Sequence, residues 1–134
     1  MRAMPHPQQT GFDSERLSSA ALQAFFNLSE RWGITAAQER ILLGSPPEST
    51  FFKWKAEKTA RRLGRDVLDR ISYLLGIAKA LNILLPSPRA ADEWVKKSNA
   101  APLFHGQSAL DRMLGGSLVD LADVRRFLDA QRGL

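Results

Sequence analysis

Cysteine is absent from the 134-residue sequence, and long apolar runs are missing as well. Without cysteine the chain has no disulfide, no thiolate nucleophile and no cysteine-ligated zinc, which fits a reducing cytoplasm. No apolar run reaches the roughly 18 to 20 residues of a membrane helix, and the start MRAMPHPQQT lacks the apolar stretch of a signal peptide. We therefore expect a cytoplasmic protein that does not contact a membrane.

Residues that carry catalysis are scarce too. The two histidines are His6, in a stretch with prolines and glutamines, and His105, in a segment that we predict to be a loop. Neither has an acid or a nucleophile beside it in the sequence, so we interpret His105 as a surface or structural residue. Gly115-Gly116 is followed by Ser117 and lacks the lysine of a phosphate-binding loop. Spacings typical of metal ligands are also missing. We expect no enzymatic activity and no cofactor.

The pattern of apolar residues indicates an all-α fold. Apolar side chains recur at three- and four-residue steps, strand-like alternation is absent, and 44% apolar with 25% charged residues is an ordinary globular composition. We predict a flexible tail over residues 1–11. Helices are predicted over about 14–32, 36–43, 46–55, 66–84, 88–97, 107–114 and 118–131, with EKTARRLG either extending the third helix or forming a separate turn.

Two short helices over about residues 35–56 have the size of a helix-turn-helix, whose second helix enters the major groove. Thr35-Ala36-Ala37-Gln38 has the form of a capping box, and Gly44 can end the helix that follows. Ser45-Pro46-Pro47-Glu48 predicts a second capping box at the start of the next helix. The aromatic residues Phe51 and Trp54, three apart, are expected to pack into the core as one stripe.

The net charge of +5 is concentrated in one segment. Residues 1–52 carry four basic and five acidic groups, residues 53–65 six and one, and residues 66–134 nine and eight. Such a concentration is typical of a surface that binds a polyanion, although a solvated helix face is the other interpretation. We expect phosphate contacts from Lys53, Lys55, Lys58, Arg61, Arg62 and Arg65. For contacts with bases the candidates are Ser49, Thr50 and Lys53, with a surface or capping role as the alternative for Ser49 and Thr50.

The second half of the chain resembles the toxin-binding domain of the Xre/MbcA/ParS antitoxins, and the resemblance extends over about residues 14–134. That family has a Trp, then an Asn, a Gly-containing loop, a short helix ending in Gly and a final helix. The matching positions are Trp94, Asn99, Gly106, residues 108–114, Gly115-Gly116 and residues 118–131. Arg70, Leu74 and Leu75 match the family's middle helix, whereas Ser108-Ala109 departs from the Thr-Pro of many members.

Residues 12–85 carry the basic segment, whereas residues 86–134 form a charge-balanced, loop-rich lobe. The resemblance implies that the first region is an Xre-like helix-turn-helix bundle that binds DNA and that the second is a small helical toxin-binding lobe. Dimerisation of the first region is expected because helix-turn-helix proteins read two half-sites about one helical turn apart.

The resemblance also implies a type II antitoxin that pairs with a RES-domain toxin, an NAD-degrading enzyme, and blocks the toxin's active site with its C-terminal region. As a homodimer, the antitoxin would repress its own operon through the operator DNA. The implied toxin contacts are Arg125, Arg126, Asp129, Gln131 and Arg132.

Three alternatives stay open. Leu121, Val124 and Leu128 can bury within this chain, with the neighbouring arginines simply solvated. The chain can also be an ordinary helix-turn-helix repressor whose C-terminal lobe binds another protein or a small effector. Finally, it can be an antitoxin that has lost operator binding.

Overall fold

The computed structural model describes residues 7–134, with side chains from residue 14 onward, and over this range the fold is all-α as predicted. A single 3-10 turn, Pro102–Phe104, interrupts the chain between the fifth and sixth helices. The α-helices are α1 Pro7–Trp32, α2 Ala36–Leu42, α3 Glu48–Glu57, α4 Arg65–Leu84, α5 Pro88–Trp94, α6 Ala109–Met113 and α7 Leu118–Gln131.

Local signals located most helix starts. Thr35 caps α2 and forms the predicted capping box with Gln38, and Ser87 caps α5. Ser117 likewise forms a capping box with Asp120 at the start of α7. In each case a side-chain oxygen accepts a hydrogen bond from a free backbone N–H of the first helical turn, which is why these short motifs are informative.

The capping box predicted at Ser45 is wrong. The helix α3 begins at Glu48 with Pro47 at its N-cap and no side-chain cap, while Ser45 has a positive φ of 56°. Ser45 therefore lies two residues before the N-cap, in the turn between α2 and α3. The helix α3 ends at Glu57, its C-cap Lys58 has φ 53°, and residues 58–64 form a non-helical connection to α4.

Two other boundaries differ from the prediction. The helix α1 begins at Pro7, so it includes residues that the sequence assigned to a tail, and residues 1–6 of that tail lie outside the described residues. The helix α5 ends at Trp94 rather than near Lys97, because residues 95–108 fold into turns that are tied together by backbone hydrogen bonds such as Asn99 to Gln107.

The helix α4 lies at the centre of the molecule. The helix α1, from the N-terminal half of the chain, packs on α4. The helix α7 also packs on α4, and its Leu121, Val124 and Leu128 are buried. Buried residues of both halves form one hydrophobic cluster. The helix-turn-helix and the C-terminal helices therefore share one core, with α4 common to both.

The approach of α7 to α4 is close at Gly76. The guanidinium group of Arg125 lies over Gly76, and a Cβ atom at this position would require that side chain to shift. Among the helices of the described range, none is long and apolar enough to cross a membrane.

Candidate functional site

The helices α2 and α3 form the predicted helix-turn-helix, and their connection is held firmly. Gly44 has φ 91°, a conformation that costs a residue with a Cβ considerably more than it costs glycine. Arg40 of α2 donates from Nε to the carbonyl oxygen of Pro46 at 2.6 Å, and this hydrogen bond spans the turn. The start of α3 is thus fixed relative to α2.

A buried arginine supports this turn from α4. Arg70 is 8% exposed, and its Nε donates to Asp66 at 2.8 Å. A Cβ on Gly44 would lie 2.9 Å from both Arg70 Nε and Asp66 Oδ2, so the glycine allows the turn to rest on this ion pair. Sequence reasoning placed Arg70 in the family's middle helix but gave it no role.

The helix α3 is anchored by its aromatic residues, as predicted. Phe51 is fully buried, with its ring centroid 6.1 Å from that of Phe26, and Trp54 packs partly buried against the same core. Ser49 and Lys53 are exposed and Thr50 is half-buried. Because Ser49 and Lys53 are four residues apart, they lie on one face of the helix.

Lys55 lies in a different environment from the other lysines of the basic segment. Its Nζ donates to Oε1 of Glu39 at 2.6 Å, and the other oxygen of that carboxylate accepts a hydrogen bond from Ser29 Oγ. Glu39 is only 4% exposed and Ser29 is buried. The role of Glu39 was not predicted from the sequence. There, the one sign of it is an acidic side chain within a short amphipathic helix.

The remaining basic residues lie at the end of α3 and in the connection after it. Lys58 ends α3, and its Nζ donates to the carbonyl of Lys55 at 3.1 Å. Arg61 and Arg62 are exposed, and Arg65 is exposed with an ion pair of 3.8 Å to Asp69. Within residues 14–134, no carboxylate pairs with Lys53, Arg61 or Arg62.

The apolar stripe of α7 faces inward. Leu121, Val124 and Leu128 are buried in this chain's own core, as one of the alternative interpretations had it. These residues are therefore not free to anchor α7 in another protein. What α7 offers a partner is its outward face and its last turn.

Three of the predicted toxin contacts form one cluster on α7. Asp129 accepts from Arg125 Nε at 3.1 Å and lies 3.6 Å from Arg132 Nη1. Arg126 lies apart from them: its side chain is 77% exposed and donates to Asp123 at 3.1 Å. Gln131 is exposed at the edge of an apolar cleft of about 240 Å³, which Trp94 and Phe127 also line.

Comparison with known families assigns both halves of this arrangement. Residues 12–76 match the antitoxin Xre-like helix-turn-helix domain, and residues 80–133 match the antitoxin Xre/MbcA/ParS C-terminal toxin-binding domain. The chain belongs to the Xre-type antitoxins. The two matches meet within α4, in agreement with the shared position of that helix in this antitoxin.

The antitoxin is also similar to a protein of Sinorhizobium fredii that carries the name "Uncharacterized protein y4oB". The two are 48% identical over 121 residues, which is 90% of each chain. No solved structure matches this antitoxin. The assignment of the helix-turn-helix and of the toxin-binding domain is therefore based on the two family matches and on the fold described above.

Proposed function

We propose that this antitoxin neutralises a RES-domain toxin that degrades NAD, by blocking the toxin's active site with its C-terminal region. We also propose that it is a cytoplasmic homodimer that represses its own operon. The observation that supports this most is the tandem arrangement of an Xre-like helix-turn-helix and an Xre/MbcA/ParS toxin-binding domain in one chain.

On the DNA side, the exposed face of α3 carries residues that can read bases. Ser49, Thr50 and Lys53 lie on the first turns of the second helix of the motif, the part of a recognition helix that contacts base edges. Lys58, Arg61, Arg62 and Arg65 follow within a few residues, and their cationic groups suit phosphate contacts. A homodimer is proposed because helix-turn-helix proteins read two half-sites about 34 Å apart.

On the toxin side, the outward groups of α7 are the proposed contacts. Arg126 and Gln131 are exposed, and a guanidinium group binds carboxylate or phosphate in a planar, two-point arrangement. Arg125 and Arg132 converge on Asp129, so this carboxylate holds both side chains on the last turns of the helix. An NAD-degrading enzyme has a site for an anionic cofactor, which cationic groups of this kind can occupy or approach.

The test is expression of the neighbouring open reading frame, alone and together with this antitoxin. The expected result is growth arrest with loss of cellular NAD when the neighbour is expressed alone, and normal growth with a co-purifying complex when both are present. A neighbour that is harmless alone, or that stays toxic in the presence of this chain, contradicts the antitoxin function and leaves the repressor alternative. Growth arrest with unchanged NAD contradicts the RES class alone.

A further inference from the structure

The ion pair between Glu39 and Lys55 joins the two helices of the helix-turn-helix and ties both to α1. Ser29 comes from α1, Glu39 from α2 and Lys55 from α3, and all three meet at one carboxylate. We infer that this network holds the recognition helix α3 in its DNA-reading orientation, so that Glu39 and Lys55 are positioning residues for operator recognition. The inference rests on the DNA binding proposed above.

The helical period separates Lys55 from the reading face of α3. Successive residues of an α-helix are about 100° apart around its axis, so Lys53 and Lys55 point about 200° apart. Lys53 is exposed on the side of Ser49, whereas Lys55 turns inward to Glu39. The sequence predicted phosphate contacts for both lysines. In the structure only Lys53 lies on the face of α3 that carries Ser49, a candidate for base contacts.

The burial of Glu39 makes its pairing with Lys55 important for the position of α3, although the Lys55 side chain is 40% exposed. A carboxylate that is 4% exposed depends on its two partners, because a buried charge without a partner is strongly unfavourable. Rotation or sliding of α3 would draw Lys55 Nζ away from Glu39 and leave that carboxylate without its cationic partner, a penalty that adds to the loss of the ring contacts of Phe51. The ion pair therefore acts together with the packing of Phe51 to favour one orientation of α3.

The test measures binding to the antitoxin's own promoter fragment and to a scrambled fragment, over a series of salt concentrations. The variants are Glu39→Gln, Lys55→Gln and Lys55→Arg, in the full chain. Two exposed residues of α3 supply charge-matched controls: Glu57→Gln for the glutamate and Lys53→Gln for the lysine. Thermal melts establish that each variant is folded at the temperature of the binding assay.

Removal of Glu39 should weaken operator binding by about tenfold, although the change makes the protein more positive. Glu57→Gln has the same change in charge and should strengthen binding to both fragments slightly, so the two glutamate variants differ in sign. Lys55→Gln should lose the preference for the promoter fragment while the salt slope is unchanged. Lys55→Arg keeps the pair and should retain the preference, whereas Lys53→Gln should lower the slope by about one unit.

If Lys55→Gln lowers the salt slope as Lys53→Gln does, and weakens both fragments equally, Lys55 is a phosphate contact and the inference is wrong. If Glu39→Gln binds the promoter fragment as Glu57→Gln does, the inference is also wrong, and operator binding itself still stands. A wild-type protein that does not prefer its promoter fragment contradicts the proposed DNA binding, and the inference fails with it.

Discussion

The basic segment around α3 and the arginines of α7 differ in how many of their cationic groups have a carboxylate partner. In the described structure Lys53, Arg61 and Arg62 extend into solvent without an acidic partner. On α7, by contrast, Arg125 and Arg126 each pair with an aspartate of the same helix. Unpaired cations attract a polyanion from a distance, whereas paired ones favour recognition at close range.

The comparison extends to α6. Arg112 of α6 pairs with Asp120 at 3.5 Å and with Asp123 at 2.8 Å. The first turns of α7 are therefore joined to α6 by ion pairs, in addition to the packing of its apolar stripe. Arg112, Arg125 and Arg126 of the C-terminal region each have an aspartate partner in the same chain, whereas Lys53, Arg61 and Arg62 have no carboxylate partner within the described residues.

The largest expected effect tests whether α7 is part of the core. Leu121→Ala should lower the free energy of unfolding by about 2–5 kcal/mol, because it leaves a cavity where α7 packs on α4. Urea unfolding of the whole chain measures it. Val119→Ala is the control on the same helix, since Val119 is 64% exposed, and it should change stability by less than about 0.5 kcal/mol. A similarly small loss of unfolding free energy in both variants would show that α7 is not part of the core.

The next effect tests the outward face of α7. Arg126→Ala should weaken binding to the purified toxin by about tenfold without altering the melting temperature, since an exposed ion pair contributes little to stability. Calorimetric titration measures the affinity. Arg89→Ala is the matched control: Arg89 is exposed, pairs with Glu93 four residues away and lies in the same domain. Equal loss in both variants would show that general charge, and not α7, governs toxin binding.

The smallest effects compare two capping residues, one in each region. Thr35→Ala and Ser117→Ala should each lower the free energy of unfolding by about 1 kcal/mol, because each removes a capping-box acceptor. At equal loss of stability, Thr35→Ala should reduce promoter binding more and Ser117→Ala should reduce toxin binding more. Binding assays on both ligands measure this. Indistinguishable effects on the two ligands would mean that the regions do not work separately.

Local chemistry explains what the sequence could predict. The Thr35 and Ser117 capping boxes involve residues three apart, so their signals lie within a few letters of sequence, and the apolar period of α4 and α7 is equally local. Ser45 had the same kind of signal, but the left-handed turn after Gly44 overrode it. The capping motif at Ser45 therefore failed because the backbone there adopts a left-handed turn and α3 begins only at Glu48.

The ion pairs of the candidate sites could not be predicted from local motifs. Lys55 meets Glu39 sixteen residues away, and Arg112 meets Asp123 eleven residues away. Only the folded chain brings these groups together, so a count of charges along the sequence treated Lys55 like its exposed neighbours. The packing of α7 on α4 in one core also joins residues far apart in the sequence and was not predicted.

The most direct test of the account is the salt dependence of promoter binding by the wild type, Arg61→Ala/Arg62→Ala and Arg126→Ala. We expect the double variant to lower the slope of log K against log salt by about two units, since each lost phosphate contact removes about 0.9. We expect no change for Arg126→Ala, whose positive charge belongs to the toxin-binding region. A slope that is unchanged in the double variant, or lowered in Arg126→Ala, would contradict the separation of DNA binding and toxin binding.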